Sequence, residues 1–171
     1  MSAGSVHIRA MTTADVDRVL KIQSELPSAP HWGRQGWVDV LDLGATPRRI
    51  ALVAVLPAAW VDGTSESQLD AKNSGEIRGF AVASLLPPEG ELEVIAVQQE
   101  RQRLGLGRHL LAALLEQVRQ AGVAELVLEV RGSNLAAIGL YRTFGFSQVG
   151  SRAGYYADPF EDAVLMRLNL G

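Results

Sequence analysis

The stretch Gln102-Arg103-Leu104-Gly105-Leu106-Gly107-Arg108 lies between an apolar run, Val94 to Val97, and an apolar helix-like run from His109 to Ala121. A strand, a glycine-bearing turn and a helix start make an anion cradle, because the first N–H groups of a helix point outward and its dipole favours negative charge there. Gly105 and Gly107 are expected to let a diphosphate approach the backbone without a Cβ in the way. Arg103 and Arg108 add positive charge and fork-shaped donors. A phosphate-bearing ligand is therefore expected. Two common owners of such loops do not fit: Leu110 stands where a dinucleotide fingerprint needs its third glycine, and no Gly-Lys followed by Ser or Thr is present.

Three downstream side chains could add chemistry. Glu129 interrupts the apolar run Leu126-Val127-Leu128-Glu129-Val130, and strand alternation puts it on the face of Val127, opposite Leu128. As it stands it reads as a half-exposed strand carboxylate, able to pair with Arg131. Tyr141 carries a phenol of pKa near 10 that can donate a proton; with Leu140 and Phe144 beside it, core packing is the competing reading. Asn134 precedes Tyr141 by about two helical turns, so both share one helix face, and an asparagine there is also a natural N-cap. His7, His31 and His109 are scattered without ligand spacing, so no metal site is expected. The chain has no cysteine, which removes thiolate nucleophiles and disulfides, and no Gly-x-Ser-x-Gly elbow, which disfavours a serine hydrolase.

The elements that must position these groups follow from periodicity. Val6 to Arg9 reads as a first strand. Thr12 or Thr13 can cap a helix over Asp15 to Ser24. A loop is expected over Pro27 to Gly36, then a short helix from Trp37 to Leu43, stopped at Gly44. Ile50 to Leu56 and Ile77 to Leu86 are strands, joined by a long polar loop from Pro57 to Gly75. A turn at Pro87 to Gly90 leads to the strand Glu91 to Val97. A helix over Leu106 to Ala121 presents Leu110, Leu111, Leu114, Leu115 and Val118 on one face and stops at Gly122. Glu125 to Val130 is a strand, Asn134 to Phe144 a helix, and Phe146 to Val149 and Ala163 to Asn169 the last two strands. No repeat or interior linker divides the chain, so a single domain over 1–171 is expected around one mixed sheet.

Composition bounds the rest. The 171 residues, 47% of them hydrophobic and 20% charged, suit one globular core. No apolar run is long enough to span a bilayer, and no secretion signal is expected. A net charge of −3 argues against broad nucleic-acid binding. These features are compatible with the cytoplasm.

The Gln/Arg-x-x-Gly-x-Gly/Ala pattern of residues 102–107, with strand residues before it, resembles the acetyl-coenzyme A loop of the GNAT N-acetyltransferase superfamily. The resemblance extends over about Leu92 to Leu168, through Leu128-Glu129-Val130-Arg131-Gly132-Ser133-Asn134, Ala136 to Tyr141 and Phe144-Gly145-Phe146. Arg152-Ala153-Gly154-Tyr155-Tyr156 and Glu161-Asp162-Ala163 resemble its RimI-like branch, which acetylates protein N-terminal amines, typically the alanine of a small-subunit ribosomal protein. The resemblance implies an α+β fold (three layers), with a central mixed, mostly antiparallel sheet flanked by helices. It implies acetyl-CoA as cofactor, held by the Ile95-Ala96-Val97 backbone on its pantetheine arm, by Asn134, and by Gln102 to Arg108 on its diphosphate. It makes Glu129 the general base and Tyr141 the general acid. Trp32, Tyr155 and Tyr156 are then expected at the acceptor groove, where the alternative for the tyrosines is packing on the sheet.

An N-terminal α-amine, with a pKa of roughly 8, suits a modest base better than a lysine at roughly 10.4. The expected partner is thus a protein N-terminus, with a small amine or internal lysine as the rival acceptor and a non-catalytic acetyl-CoA-binding regulator as the rival class. No nucleic acid or membrane partner is expected, and the oligomeric expectation is a monomer or weak dimer. Two features depart from the branch. Ala29 stands where an aromatic usually precedes Pro-Trp, and the 57–75 loop is longer than needed; both lie in regions that, by resemblance, shape the acceptor groove.

Overall fold

In the computed structural model, which describes residues 6–27, 29–57 and 75–171, the helix after the cradle fixes the architecture. This helix, α3 (Leu106–Gln120), buries Leu106, Leu110, Leu111, Leu114, Leu115 and Val118. Each buried leucine is worth about 1.5–3 kcal/mol, so the helix is pinned to the sheet along its length. It crosses from β4 (Glu89–Val97) to β5 (Glu125–Arg131), which run parallel, as a strand–helix–strand crossover requires.

Every other neighbouring pair in the sheet is antiparallel. The remaining strands are β1 (His7–Ala10), β2 (Arg48–Pro57), β3 (Gly75–Leu86), β6 (Ser147–Ala157) and β7 (Phe160–Asn169). The seven strands stand in the order β1-β2-β3-β4-β5-β7-β6. Helix α4 (Leu135–Thr143) lies with α3, and Ile138 and Tyr141 join its core cluster. Helices α1 (Val16–Ser24) and α2 (Arg34–Val40) cover the opposite face, where Val19, Ile22, Trp37 and Val40 pack on Phe80, Val82 and Val94. The mixed, mostly antiparallel sheet between two helical layers is the fold expected from the sequence.

Two elements differ from their sequence expectations. The second helix runs Arg34–Val40 rather than Trp37 to Leu43, because Gly33 is the extended N-cap and its carbonyl accepts from the Trp37 N–H at 3.1 Å. The last two strands are far longer than 146–149 and 163–169. They form one hairpin in which β6 is an edge strand with most residues exposed, so no apolar alternation marks it. The expected 57–75 loop lies almost wholly outside the described residues.

Candidate functional site

Strands β4 and β5 pair over only three positions, Glu89–Glu125, Gly90–Leu126 and Glu91–Val127. Beyond them the strands part. Ile95, Ala96 and Val97 pair only with β3, through Ala81, Phe80 and Gly79. Glu129, Val130 and Arg131 pair only with β7, through Leu165, Val164 and Ala163. A cleft with unshared strand backbone on its walls opens towards the start of α3. The side chains of Ile95, Ala96 and Val97 are buried or half-buried against the two cores, so backbone is what they can offer a ligand.

The cradle sits at one end of this cleft. Gly105 is the N-cap of α3 with φ of +82°, the left-handed region that glycine adopts without strain. No side chain caps the helix, which leaves its first-turn N–H groups for a ligand. Arg103 is also left-handed, at φ of +64°. The Gln102 side chain donates to the Val97 carbonyl at 3.1 Å and ties the turn to the end of β4. Arg108 lies over the Phe144 ring, 5.4 Å from its centroid, while Leu104 is exposed. Leu106 is buried in the core and can present only its N–H.

The two glycines do different work. A Cβ at Gly105 would meet nothing nearer than His109, at 3.8 Å, so conformation is its requirement. A Cβ at Gly107 would lie 3.4 Å from Leu140, so this glycine lets α4 approach α3.

Glu129 faces away from α3 and α4, as alternation requires, since Leu126, Leu128 and Val130 are its buried neighbours. Its partner is not Arg131. Arg152 of β6 pairs with it at 2.8 Å, and Arg131 reaches across the hairpin to Glu161 at 3.0 Å. The half-exposed Tyr155 stands beside Glu129, whose carboxylate raises the phenol's pKa. Tyr155 and Tyr156 meet edge to face at 5.0 Å, and Arg131 lies over the Tyr156 ring at 4.1 Å. An irregularity in β6 between Arg152 and Tyr156 contains Gly154, left-handed at φ of +59° and so close to the Phe160 ring that a Cβ would clash. This kink re-aims the tyrosines after Arg152.

Tyr141 lies on the core side, packed against Phe146 at 5.7 Å. Burial, with Tyr156 nearby, pushes its phenol far above the ordinary tyrosine value, so it stays protonated. Asn134 is the N-cap of α4, its Oδ1 accepting from the Ala137 N–H at 3.1 Å. Trp32 sits in the α1–α2 layer, edge to face with Trp37 at 4.9 Å, and its carbonyl accepts from Gln23. Among the described residues no group of three or more acidic or histidine side chains is placed to hold a metal, and no helix is long and apolar enough to cross a membrane.

Residues 41–146 match the model of the acetyltransferase (GNAT) family. The chain belongs to this family. It is 43% identical over 170 residues to the N-alpha-acetyltransferase RimI of Mycobacterium tuberculosis, covering 97% of this chain and 94% of that protein. It is 44% identical over 97 residues to the ribosomal protein bS18-alanine N-acetyltransferase of Escherichia coli K12; the match spans 56% of this chain and 66% of that enzyme. A crystal structure of the ribosomal-protein-S18-alanine N-acetyltransferase from Escherichia coli superposes with a TM-score of 0.75 at 30% identity, over 98% of this chain and 95% of that one.

Within this GNAT fold, three charged groups that the sequence did not mark as site residues stand along the cleft-side ends of β4 and on β6. Glu93 occupies the β4 bulge and is held by Arg49 through two bonds, at 2.8 and 3.0 Å. Glu91 stands where the cleft begins; burial, then the charges of Glu93 and Glu129, raises its pKa. Arg152 was legible only as part of a motif. A Glu-x-Glu strand start is a sequence signal for Glu91 and Glu93, whereas the Arg152–Glu129 pair needs the hairpin register.

Proposed function

We propose that this chain transfers the acetyl group of acetyl-coenzyme A to the α-amine of a protein N-terminus, with an alanine-initiated ribosomal protein as the model acceptor. The observation that carries this reading is the cleft between β4 and β5, which joins an uncapped helix start on one side to Glu129 on the other. The residues fit the cofactor: the N–H groups of Leu106, Gly107 and Arg108 and the Arg103 and Arg108 side chains suit a diphosphate, and the backbone of Ile95 to Val97 suits a chain of amides. Bound there, acetyl-coenzyme A supplies an acetyl group activated as a thioester.

Glu129 accepts a proton from the arriving ammonium, directly or through one water, while Arg152 fixes the orientation of its carboxylate. Tyr141, held protonated by burial, would give its phenol proton to the sulfur as the new C–N bond replaces the C–S bond, and the second proton shed by the attacking nitrogen would restore the phenol through water. Tyr155 and Tyr156 line the acceptor side, and Trp32 supports it from the α1–α2 layer. The acceptor assignment draws on the relatives named for N-terminal alanine or α-amine acetylation, and a ribosomal acceptor carries a cytoplasmic location with it.

Free-thiol release tests the reading. Alanine-initiated peptides should be turned over, polyamines and aminoglycosides should not. Glu129→Gln should lower kcat/KM by about 100-fold and leave acetyl-CoA binding within about twofold. Turnover of the small amines in preference to peptides would overturn the acceptor assignment.

A further inference from the structure

Gln98, the residue that follows β4 and precedes the cradle, is buried, with 8% of its surface exposed. All of its polar groups are engaged. Its N–H donates to the Arg78 carbonyl at 2.8 Å, and its carbonyl accepts from the Arg101 N–H at 2.8 Å, starting the short 3₁₀ turn Gln99–Arg101 that leads to Gln102. Its Oε1 accepts from two guanidiniums, Arg18 of α1 at 3.1 Å and Arg78 of β3 at 2.7 Å. Its Nε2 donates to Glu25, at the end of α1, at 3.1 Å. Glu76 completes the cluster by pairing with Arg18 at 2.7 Å and Arg78 at 2.5 Å.

One neutral amide therefore joins three elements that the chain separates widely. Arg18 and Arg78 lie 80 and 20 residues from it in sequence. The bonds are directional: a single acceptor oxygen serves two cations, and a single donor faces a carboxylate. Neither a carboxylate nor an apolar side chain at 98 can satisfy all three partners. Arg78 has little to exchange, because its Nε is buried without a hydrogen-bond partner among the described residues. No local pattern marks this arrangement, since the side-chain partners of Gln98 lie 20, 73 and 80 residues away.

We infer that Gln98 is a positioning residue that fixes the cofactor cradle against helix α1 of the acceptor-side layer, through its bonds to Arg18, Glu25 and Arg78. The inference rests on the proposed function for the identity of the ligand, but not for the coupling itself. Its role is to hold the end of β4 and the Gln99–Arg101 turn, so that Gln102 and the start of α3 stand ready for the diphosphate. Loss of the bonds should loosen the turn before it affects the chemistry, because neither Glu129 nor Tyr141 touches the cluster.

The test reads acetyl-CoA affinity by calorimetry, the KM for acetyl-CoA against kcat, and hydrogen exchange of amides 99–105 in the free protein. Gln98→Met keeps the bulk and removes all three side-chain bonds. It should raise the dissociation constant and KM about tenfold, the scale of one charge-assisted buried bond, with kcat at saturation within about threefold and faster exchange at 99–105. Gln98→Glu keeps the two arginine contacts but sets a carboxylate against Glu25, and should weaken binding less. Adding Glu25→Gln to Gln98→Glu reverses donor and acceptor, restores all three bonds, and should return affinity and exchange to wild type. Unchanged exchange and affinity in Gln98→Met, or a double variant no better than Gln98→Glu, would overturn the inference. Should Gln98→Met not fold, the Gln98→Glu pair and its rescue decide the matter alone. Wild-type protein that does not bind acetyl-CoA would instead refute the ligand assignment, and exchange at 99–105 would still judge the coupling.

Discussion

Tyr141→Phe separates the two readings of a buried tyrosine. The ring packs on Phe146 within the main core, and the substitution keeps that contact. The hydroxyl makes no side-chain hydrogen bond among the described residues, so its removal should change stability by less than about 1 kcal/mol. As a proton donor, however, it is worth about 100-fold in rate or more, or roughly 2.7 kcal/mol of barrier. Tyr141→Ala loses the ring as well and should cost about 3–5 kcal/mol of stability. Acetylation kinetics at saturating acetyl-CoA, together with urea unfolding of both variants, give the comparison. A pH series adds a second axis. Burial raises the phenol's pKa, so Tyr141 should cause no alkaline fall in kcat up to about pH 10. The same shift makes its contribution to stability complete below about pH 10 and lost as pH rises through the folded value, so wild type and Tyr141→Phe should diverge only in strong alkali. If Tyr141→Phe kept kcat within about threefold while Tyr141→Ala unfolded the protein, Tyr141 would be a packing residue and the acid role would be wrong.

Two other substitutions test the scaffold. Gly105→Ala forces an L-residue to φ of +82° and should cost about 1–2 kcal/mol while weakening acetyl-CoA binding; Gly139→Ala, where a Cβ meets nothing within 4 Å on an exposed face of α4, should instead stabilise by about 0.5–1 kcal/mol. Differential scanning calorimetry on the pair gives opposite shifts, and a loss of stability at both positions would contradict the conformational argument. Asp15 takes two bonds from Arg9, at 2.7 and 2.8 Å, and two from Thr12, closing a capping box before α1. Asp15→Asn should cost about 1–2 kcal/mol at pH 7. The Arg9 bond, foremost, lowers the Asp15 pKa, so this stability is present above about pH 4 and lost as pH falls through the folded value; equal unfolding midpoints at pH 7 would refute it.

Local pattern made part of the site legible. The glycine turn before a run of leucines at helical spacing announced the cradle, because a helix start and its free N–H groups are properties of adjacent residues. Two-residue alternation placed Glu129 off the core face, and helical spacing placed Asn134 and Tyr141 on one helix. The long β6–β7 hairpin was half hidden, since an exposed edge strand carries no apolar rhythm. Arg131 is near Glu129 in sequence and able to pair with it, but the hairpin register gives Glu129 to Arg152 and Arg131 to Glu161.

Residue types and local spacing set the chemical parts and their supports: a glycine turn before a helix start, a carboxylate off the core, a phenol on a helix. Tertiary structure alone decided how they meet. The parting of β4 from β5 after Glu91, the Arg152–Glu129 pair across the hairpin, and the Gln98 cluster joining α1, β3 and the cradle all depend on contacts between residues far apart in the chain. Such contacts are set by strand register and by how buried polar groups find partners once the layers close, and no short stretch of sequence encodes either.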